Sequence, residues 1–316
     1  MSTYSRAWEN GMATTSSRRR LLGSAAMLMF LIIIWTVKLL GPSSSATTGT
    51  DSEIPLLPFP TSAETTNPLA GKNVAAIVEN RPLDNLIPLI LHFSSVLGPD
   101  WPIHIFTTDA NAISLRSSAT VTRNIDAGLI VIQPLPMSID FKKHSSVSAF
   151  FTQPWFWQAL APAEKILMFQ GDSMICSRAT QTIEDYTQYD FIGAPIDTAK
   201  GLGFGYNGGL SIRNRKMMLD IVKTWDWAEE KKGPRKGKVN IDYEDQWFWK
   251  KLSEMDPQPN LPSVEVAKTF SVETMWYDKP FGYHQASVWQ KSKMEEILEW
   301  CPEYRLALAE PFKSHS

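Results

Sequence analysis

Residues 164–176 run EKILMFQGDSMIC, and their reading decides the fold. Lys165–Gln170 is the most apolar strand candidate in the chain, and a carboxylate, Asp172, follows it almost at once. A short apolar run bounded by turn residues reads as a buried strand. A carboxylate at the end of such a strand is placed to hold a hard divalent cation. Mg2+ and Mn2+ prefer oxygen ligands and can bridge the phosphate oxygens of a nucleotide. Taken alone, Asp172 reads equally as a cap for the helix or turn that follows, because Asp and Ser are good caps.

Working outward, Asn73–Glu79, Ile103–Thr107 and Leu129–Ile132 are further short apolar runs. Phe191–Ala194 and Leu210–Arg213 are weaker strand candidates. Leu86–Leu97 has apolar residues at helical spacing, and Asn214–Trp225 and Tyr243–Leu252 read as helices. Strands alternating with helices predict an α/β domain, with a mostly parallel mixed sheet flanked by helices. Such sheets bind ligands at the carboxyl ends of their strands. Polar residues just after strands are therefore the candidates. Glu79-Asn80-Arg81 follows the first strand, Asp109 the second, and Gln170-Gly171-Asp172 the fourth. Asn207-Gly208-Gly209 precedes LSIR, and Glu244-Asp245 and Gly282-Tyr283-His284 come later. Each has an ordinary alternative. Asn207-Gly208-Gly209 is a turn signal. Glu244-Asp245 fits the solvated first turn of a helix, where acids favour the dipole. A lone histidine such as His284 is commonly structural.

The order of these segments resembles that of the glycosyltransferase-A fold. The segments 79–107 (ENRPLDNLIPLILHFSSVLGPDWPIHIFT), 164–176, 189–195 (YDFIGAP), 205–215 (GYNGGLSIRNR), 244–248 (EDQWF) and 271–285 (SVETMWYDKPFGYHQ) resemble one family in particular. It is a largely fungal family classed as a domain of unknown function, with glycosyltransferase-like sequence. The resemblance spans about 73–302. It implies that Gln170-Gly171-Asp172 stands where that fold carries an Asp-x-Asp motif, with Gln170 replacing the first acid. By the same resemblance Asp172 and His284 ligate Mn2+ or Mg2+, which holds the diphosphate of a nucleotide-sugar. Glu79, Arg81, Asp109, Gln170, Asn207, Gly208 and Gly209 are then donor-binding candidates. The Gly-Gly segment resembles that of β-1,4-galactosyltransferase-like enzymes, where backbone lies close to the donor sugar and only glycine fits. Glu244-Asp245 resembles the acidic pair that follows it there, one acid of which deprotonates the acceptor.

Transfer with inversion needs a general base on the acceptor hydroxyl. Asp245 is the first choice and Glu244 the second; a retaining enzyme needs neither. Trp247, Trp249 and Trp276 are candidates for stacking on acceptor sugars, or for the core. Lys231–Lys238 (KKGPRKGK) reads as a solvated loop or as a lid over the diphosphate. Cys176 and Cys301 read either as a pair or as two free thiols.

Composition narrows the classes. The chain has 316 residues, 43% hydrophobic and 20% charged, which excludes disordered, collagen-like and disulfide-scaffold chains. A net charge of -2 lacks the basic excess of a nucleic-acid binder. Residues 21–40 (LLGSAAMLMFLIIIWTVKLL) are long enough to span a bilayer. Arg6, Arg18, Arg19 and Arg20 precede this run, and residues 41–70 hold no Lys or Arg. The positive-inside rule then puts 1–20 in the cytosol and the rest in a lumen. A cleaved signal peptide is the alternative, but the apolar run is long for one. Residues 41–70 hold five Pro, five Ser and six Thr and read as an extended stem. Residues 71–316 are long enough for one domain. The layout predicts a type II membrane protein of the Golgi or endoplasmic reticulum. The expected function is metal-dependent glycosyl transfer to a glycan or glycoconjugate, with no nucleic-acid partner. A catalytically inactive glycan-binding or scaffolding relative is the alternative, and a different nucleotidyl or phosphosugar chemistry on the same fold is a third.

Overall fold

The computed structural model describes residues 73–135, 141, 144–232 and 241–308. The expected tail, membrane anchor and stem lie outside the described residues, as do residues 233–238 of the basic loop. Among the described residues no helix is long and apolar enough to cross a membrane.

The main sheet has six strands in the order β3-β2-β1-β4-β7-β6. They are β1 (Val74–Glu79), β2 (Ile103–Thr107), β3 (Ile130–Pro134), β4 (Lys165–Phe169), β6 (Phe191–Pro195) and β7 (Tyr206–Asn214). β1 pairs in parallel with β2 and β4, and β2 with β3. β7 runs antiparallel to both β4 and β6, so it alone opposes the common direction. This is the mixed, mostly parallel α/β sheet that the alternating pattern predicts. β1, β2 and β4 are almost wholly buried, which explains why they read as unbroken apolar runs.

Helix Leu86–Leu97 buries Leu86, Leu89, Ile90, Phe93 and Leu97 on one face. The ring of Phe93 stacks on Phe169 at 4.0 Å. A ring pair of this kind is worth about 0.5–1.5 kcal/mol beyond the area it buries. It anchors the end of β4 directly before Gln170. Asn214 ends β7 and caps the next helix, Arg215–Thr224, its side chain accepting from the Met217 N–H.

A second sheet has no counterpart in the sequence reading. β5 (Ser173–Ile175) pairs antiparallel with β9 (Gly282–His284), and β8 (Ser271–Val272) pairs in parallel with β9. Ser173 stands opposite His284 in that ladder. The sheet thus brings the segment after β4 against the late Gly-Tyr-His segment. Cys176, one residue past β5, forms a disulfide with Cys301, their Cα atoms 5.1 Å apart.

β7 begins earlier than its apolar core, at Tyr206, so Asn207-Gly208-Gly209 is part of a strand rather than a turn before one. Its register with β6 slips between Gly193 and Ala194. Gly193 pairs with Ser211 and Ala194 with Asn207, so residues 208–210 stand opposite nothing on β6. A bulge of this kind bends a strand and re-aims its neighbours.

Candidate active site

Two adjoining cavities open at the carboxyl ends of β1 and β4. The first, about 250 Å³, is lined by Glu79, Arg81, Asp172, Gly208, Arg213 and Glu244 among others. The second, about 310 Å³, is lined by Asn207, Gly209, Asp245, Thr274, His284 and Trp289 among others. Gln170, Gly208, Glu244 and Gln285 line both.

His284, in the wall of the second cavity, is 2% exposed. Its Nε2 lies 3.2 Å from Gln170 Oε1 and 3.5 Å from Asp172 Oδ1. On the other side of the ring, Nδ1 lies 3.4 Å from Glu273 Oε1. Burial works against a charge on this imidazole, but Asp172 and Glu273 outweigh it and hold the pKa up to about 10. Burial likewise opposes the Asp172 carboxylate, yet His284 and Gln285 hold its pKa below the ordinary value. Gln285 donates from Nε2 to Asp172 Oδ2 at 2.9 Å, and its backbone N–H donates to the Asp172 carbonyl at 3.2 Å. Asp172 Oδ1 is buried with no hydrogen-bond partner.

The Gly-Gly bulge lies over two buried cationic side chains. A Cβ on Gly209 would collide with the His284 ring, and one on Gly208 with the Arg213 guanidinium. The resemblance implies glycines that admit a donor sugar. In this structure their Cβ directions are filled by the protein's own side chains, so the glycines make room for His284 and Arg213. The bulge is locked by Asn207 Oδ1, which accepts from the Gly209 N–H at 2.7 Å. Ser173 Oγ donates to the Gly209 carbonyl at 2.7 Å.

Glu244 and Asp245 open the helix Glu244–Ser253, and each is only 8% exposed. They are not the solvated acids of an ordinary first turn. Asp245 Oδ2 accepts from the Gly208 N–H at 2.9 Å, and Oδ1 from the Gln246 N–H at 2.7 Å. Burial, with the neighbouring Glu244 carboxylate added, pushes the Asp245 pKa up to about 7; Arg213 and the two N–H groups pull partly back. Glu244 Oε2 accepts from Ser148 Oγ at 3.2 Å, and Oε1 lies 3.5 Å from Arg213 Nη2. Arg213, 1% exposed, is enclosed by the rings of Phe191, Phe248 and Trp157, 5.1, 5.7 and 6.0 Å from their centroids. A buried guanidinium among aromatic faces gains cation–π attraction that offsets part of its desolvation.

At the far wall of the first cavity, Glu79 is 4% exposed and held by its own neighbour. Arg81 donates to Glu79 from Nε and Nη2, both at 2.8 Å, and from its backbone N–H at 2.9 Å. Asp109 does not join them. It is an exposed residue in the first turn of helix Asp109–Arg116 and lines neither cavity. The helix dipole explains an acid there. Asn111, two residues on, is the buried neighbour of that wall, donating to the Arg81 carbonyl at 2.9 Å. Trp247, Trp249 and Trp276 also line neither cavity, and Trp247 is fully buried core. The aromatics that reach the second cavity are Tyr243 and Trp289.

Sequence reasoning missed Arg213, Glu273, Gln285 and Trp289. The signal for Arg213 was a charge closing the apolar strand segment LSIR. For Gln285 no local signal exists: its φ of 46° is left-handed, unusual for a residue with a side chain.

Among the described residues no group of three or more His, Cys, Asp or Glu is arranged to hold a metal. The donor set here includes an amide instead. His284 Nε2 lies 3.2 Å from Gln170 Oε1 and 3.5 Å from Asp172 Oδ1, close to the roughly 3 Å spacing of neighbouring ligands around Mg2+. The orphaned Oδ1 lacks a partner that a cation supplies. Glu273 Oε1 stands 3.4 Å behind Nδ1, on the side where a carboxylate commonly supports a metal-binding imidazole, although Nδ1 makes no hydrogen bond here. These residues therefore fit a hard divalent cation, which displaces the Nε2 proton on binding.

Several solved structures align with this chain at low identity, each with a TM-score under 0.5. The glycosyltransferase GlyE of Streptococcus pneumoniae TIGR4, in its apo form, aligns over 77% of this chain at 12% identity, with a TM-score of 0.43. This chain covers 66% of that protein, just under two thirds of its length. The galactosyltransferase LgtC, solved with donor and acceptor sugar analogues, aligns over 74% of this chain and 100% of its own at 14% identity and a TM-score of 0.40. A glycosyltransferase involved in glycosylation of the major capsid of PBCV-1 aligns over 72% and 99% at 13% identity and a TM-score of 0.40. No curated protein matches the sequence. Residues 130–284, just under half of the chain, match the family described as a protein of unknown function (DUF5672).

Proposed function

We propose that this chain is a cation-dependent glycosyltransferase that moves a sugar from a nucleotide-sugar donor to a glycan or glycoconjugate acceptor, with inversion. The observation that carries the reading is the meeting of Gln170 Oε1, Asp172 Oδ1 and His284 Nε2 beside a buried carboxylate pair, at the seam of two cavities. Gln170, Asp172 and His284 would hold Mn2+ or Mg2+. When bound, that ion supplies positive charge to the departing diphosphate. The first cavity, with Arg81 and Arg213 in its wall, takes the nucleotide end of the donor. Arg213 and Ser148 hold Glu244 in place. Asp245, with its raised proton affinity, takes the proton from the acceptor hydroxyl at the carboxylate face left open to the second cavity. A pKa near the working pH is what a general base needs.

The same reading makes residues 21–40 a membrane anchor and puts the catalytic domain in the lumen of the Golgi or endoplasmic reticulum. Its support is the charge asymmetry around that segment. Protease treatment of sealed microsomes should spare the catalytic domain; digestion without detergent overturns the orientation.

Gln170 favours a second reading. A neutral amide in place of an acid leaves the cation cluster with one less negative charge. A glycan-binding or scaffolding relative then binds saccharide and no nucleotide. Incubating the full-length chain with Mn2+ and a panel of nucleotide sugars separates the two. Nucleotide release that depends on Asp172 supports the transferase. Glycan binding without any nucleotide binding supports the scaffold.

A further inference from the structure

The second cavity differs from the first in chemistry, and the difference names a ligand. Glu244, Asp245 and Glu273 line it, and among the described residues no lysine or arginine does. The one cationic group in its wall, His284, is already flanked by Asp172 and Glu273. A phosphorylated or otherwise anionic ligand would stand beside the side chains of Glu244, Asp245 and Glu273, with no lysine or arginine of this cavity to pair with it. The amide and hydroxyl groups of the wall are largely engaged. Gln246 bonds the Leu202 carbonyl and the Phe204 N–H, and Thr274 bonds the Pro195 carbonyl and the Asp197 N–H. Each oxygen of Glu244 and Asp245 makes one of the contacts described above and keeps a further lone pair, which suits a ligand rich in O–H donors.

Two aromatic side chains complete the wall. Tyr243 is 41% and Trp289 36% exposed, large values for rings that line a concave surface. Trp289 ends the helix Ala286–Trp289, which Gln285 starts from its left-handed conformation. The Gln285 carbonyl accepts from the Trp289 N–H at 3.2 Å, while its side chain and N–H hold Asp172. A strained residue held by this many bonds marks a position fixed for a purpose. The Trp289 backbone is thus tied through one residue to the cation cluster, and its ring lines the same cavity as the acid pair.

We infer that the second cavity is the acceptor site for an uncharged pyranose, whose apolar C–H face lies on Trp289 and whose hydroxyls donate to Glu244 and Asp245. The inference rests on the glycosyl-transfer reading and gives its acceptor class. Neutral sugars combine a flat apolar face with many O–H donors, and both halves of that character have a counterpart here.

The test is saturation-transfer NMR on the full-length chain. The probes are methyl glycosides of glucose, galactose and mannose, their 6-phosphates, and a Ser/Thr peptide. At least one neutral glycoside should bind, with the strongest transfer at the protons of one ring face. Its 6-phosphate should bind at least about ten-fold more weakly. Trp289→Ala should weaken the neutral glycoside about ten-fold, and Trp289→Phe by less. Nucleotide binding with Mn2+, measured on the same samples, should not change in either variant. Equal or tighter binding of the phosphates, binding of the peptide instead, indifference to Trp289→Ala, or no glycoside binding at all overturns the inference. The nucleotide titration stands apart: if it alone succeeds, the acceptor class is wrong while the transferase reading holds.

Discussion

The imidazole of His284 occupies the space that a Cβ on Gly209 would need. The glycine therefore belongs to the cation cluster, although it touches no cation. Gly209→Ala must push the ring from Gln170 and Asp172 or open the bulge. It should weaken Mn2+ binding at least ten-fold, read by calorimetric titration of the full-length chain. Unchanged Mn2+ affinity removes His284 from the cluster.

Cation and base should separate by mutation. Asp172→Asn and His284→Ala should weaken nucleotide-sugar binding and turnover together. Asp245→Asn should leave donor binding nearly unchanged and lower transfer by about 10²–10⁴-fold, the range for a lost general base. If Glu244→Gln abolishes transfer while Asp245→Asn keeps it, the base is Glu244. If neither matters, inversion by this pair is wrong.

The pH dependence follows from the Asp245 pKa of about 7. A base acts deprotonated, so transfer should rise with pH through about 7 and fall away below it. Stability should move the other way. The folded pKa lies above the unfolded value of about 4, so between those values the folded chain holds a proton that the unfolded chain lacks. Stability is therefore lost as pH rises through that window. Thermal melts at pH 5 and pH 8 should show a difference that Asp245→Asn reduces. An equal difference in the variant assigns the pH effect to another group.

Much of the scaffold is legible from the sequence because burial writes it plainly. β1, β2 and β4 are buried on both faces, and helix Leu86–Leu97 carries one apolar stripe. Their limits match the apolar runs to within a residue. The small sheet β5-β9-β8 is illegible because its strands are two or three residues long, too short for any period. The site shows the same division. Asp172, Glu244, Asp245 and His284 lie beside recognisable segments. Glu273 and Gln285 matter only because that small sheet brings them against His284 and Asp172 respectively. The bulge reads as a turn because Asn-Gly-Gly usually is one; only the pairing of Tyr206 and Asn207 with β6 shows that the strand begins before it.

The Cys176–Cys301 disulfide closes a long loop, with a sequence separation of 125. Loop closure of that length contributes roughly 4–5 kcal/mol on the chain-entropy account. Cys301→Ser should lower the urea midpoint accordingly. Thiol labelling of the denatured, unreduced protein should find no free cysteine. Two labelled thiols remove the bond from the account.

The most direct test of cation-dependent transfer is donor titration of the full-length chain by calorimetry, over a panel of nucleotide sugars with Mn2+ and with a chelator. The account predicts that at least one nucleotide sugar binds with Mn2+, at least ten-fold more weakly with chelator, and that Asp172→Asn abolishes this difference. Failure of every nucleotide sugar to bind with Mn2+, or binding indifferent to both chelator and Asp172→Asn, contradicts it.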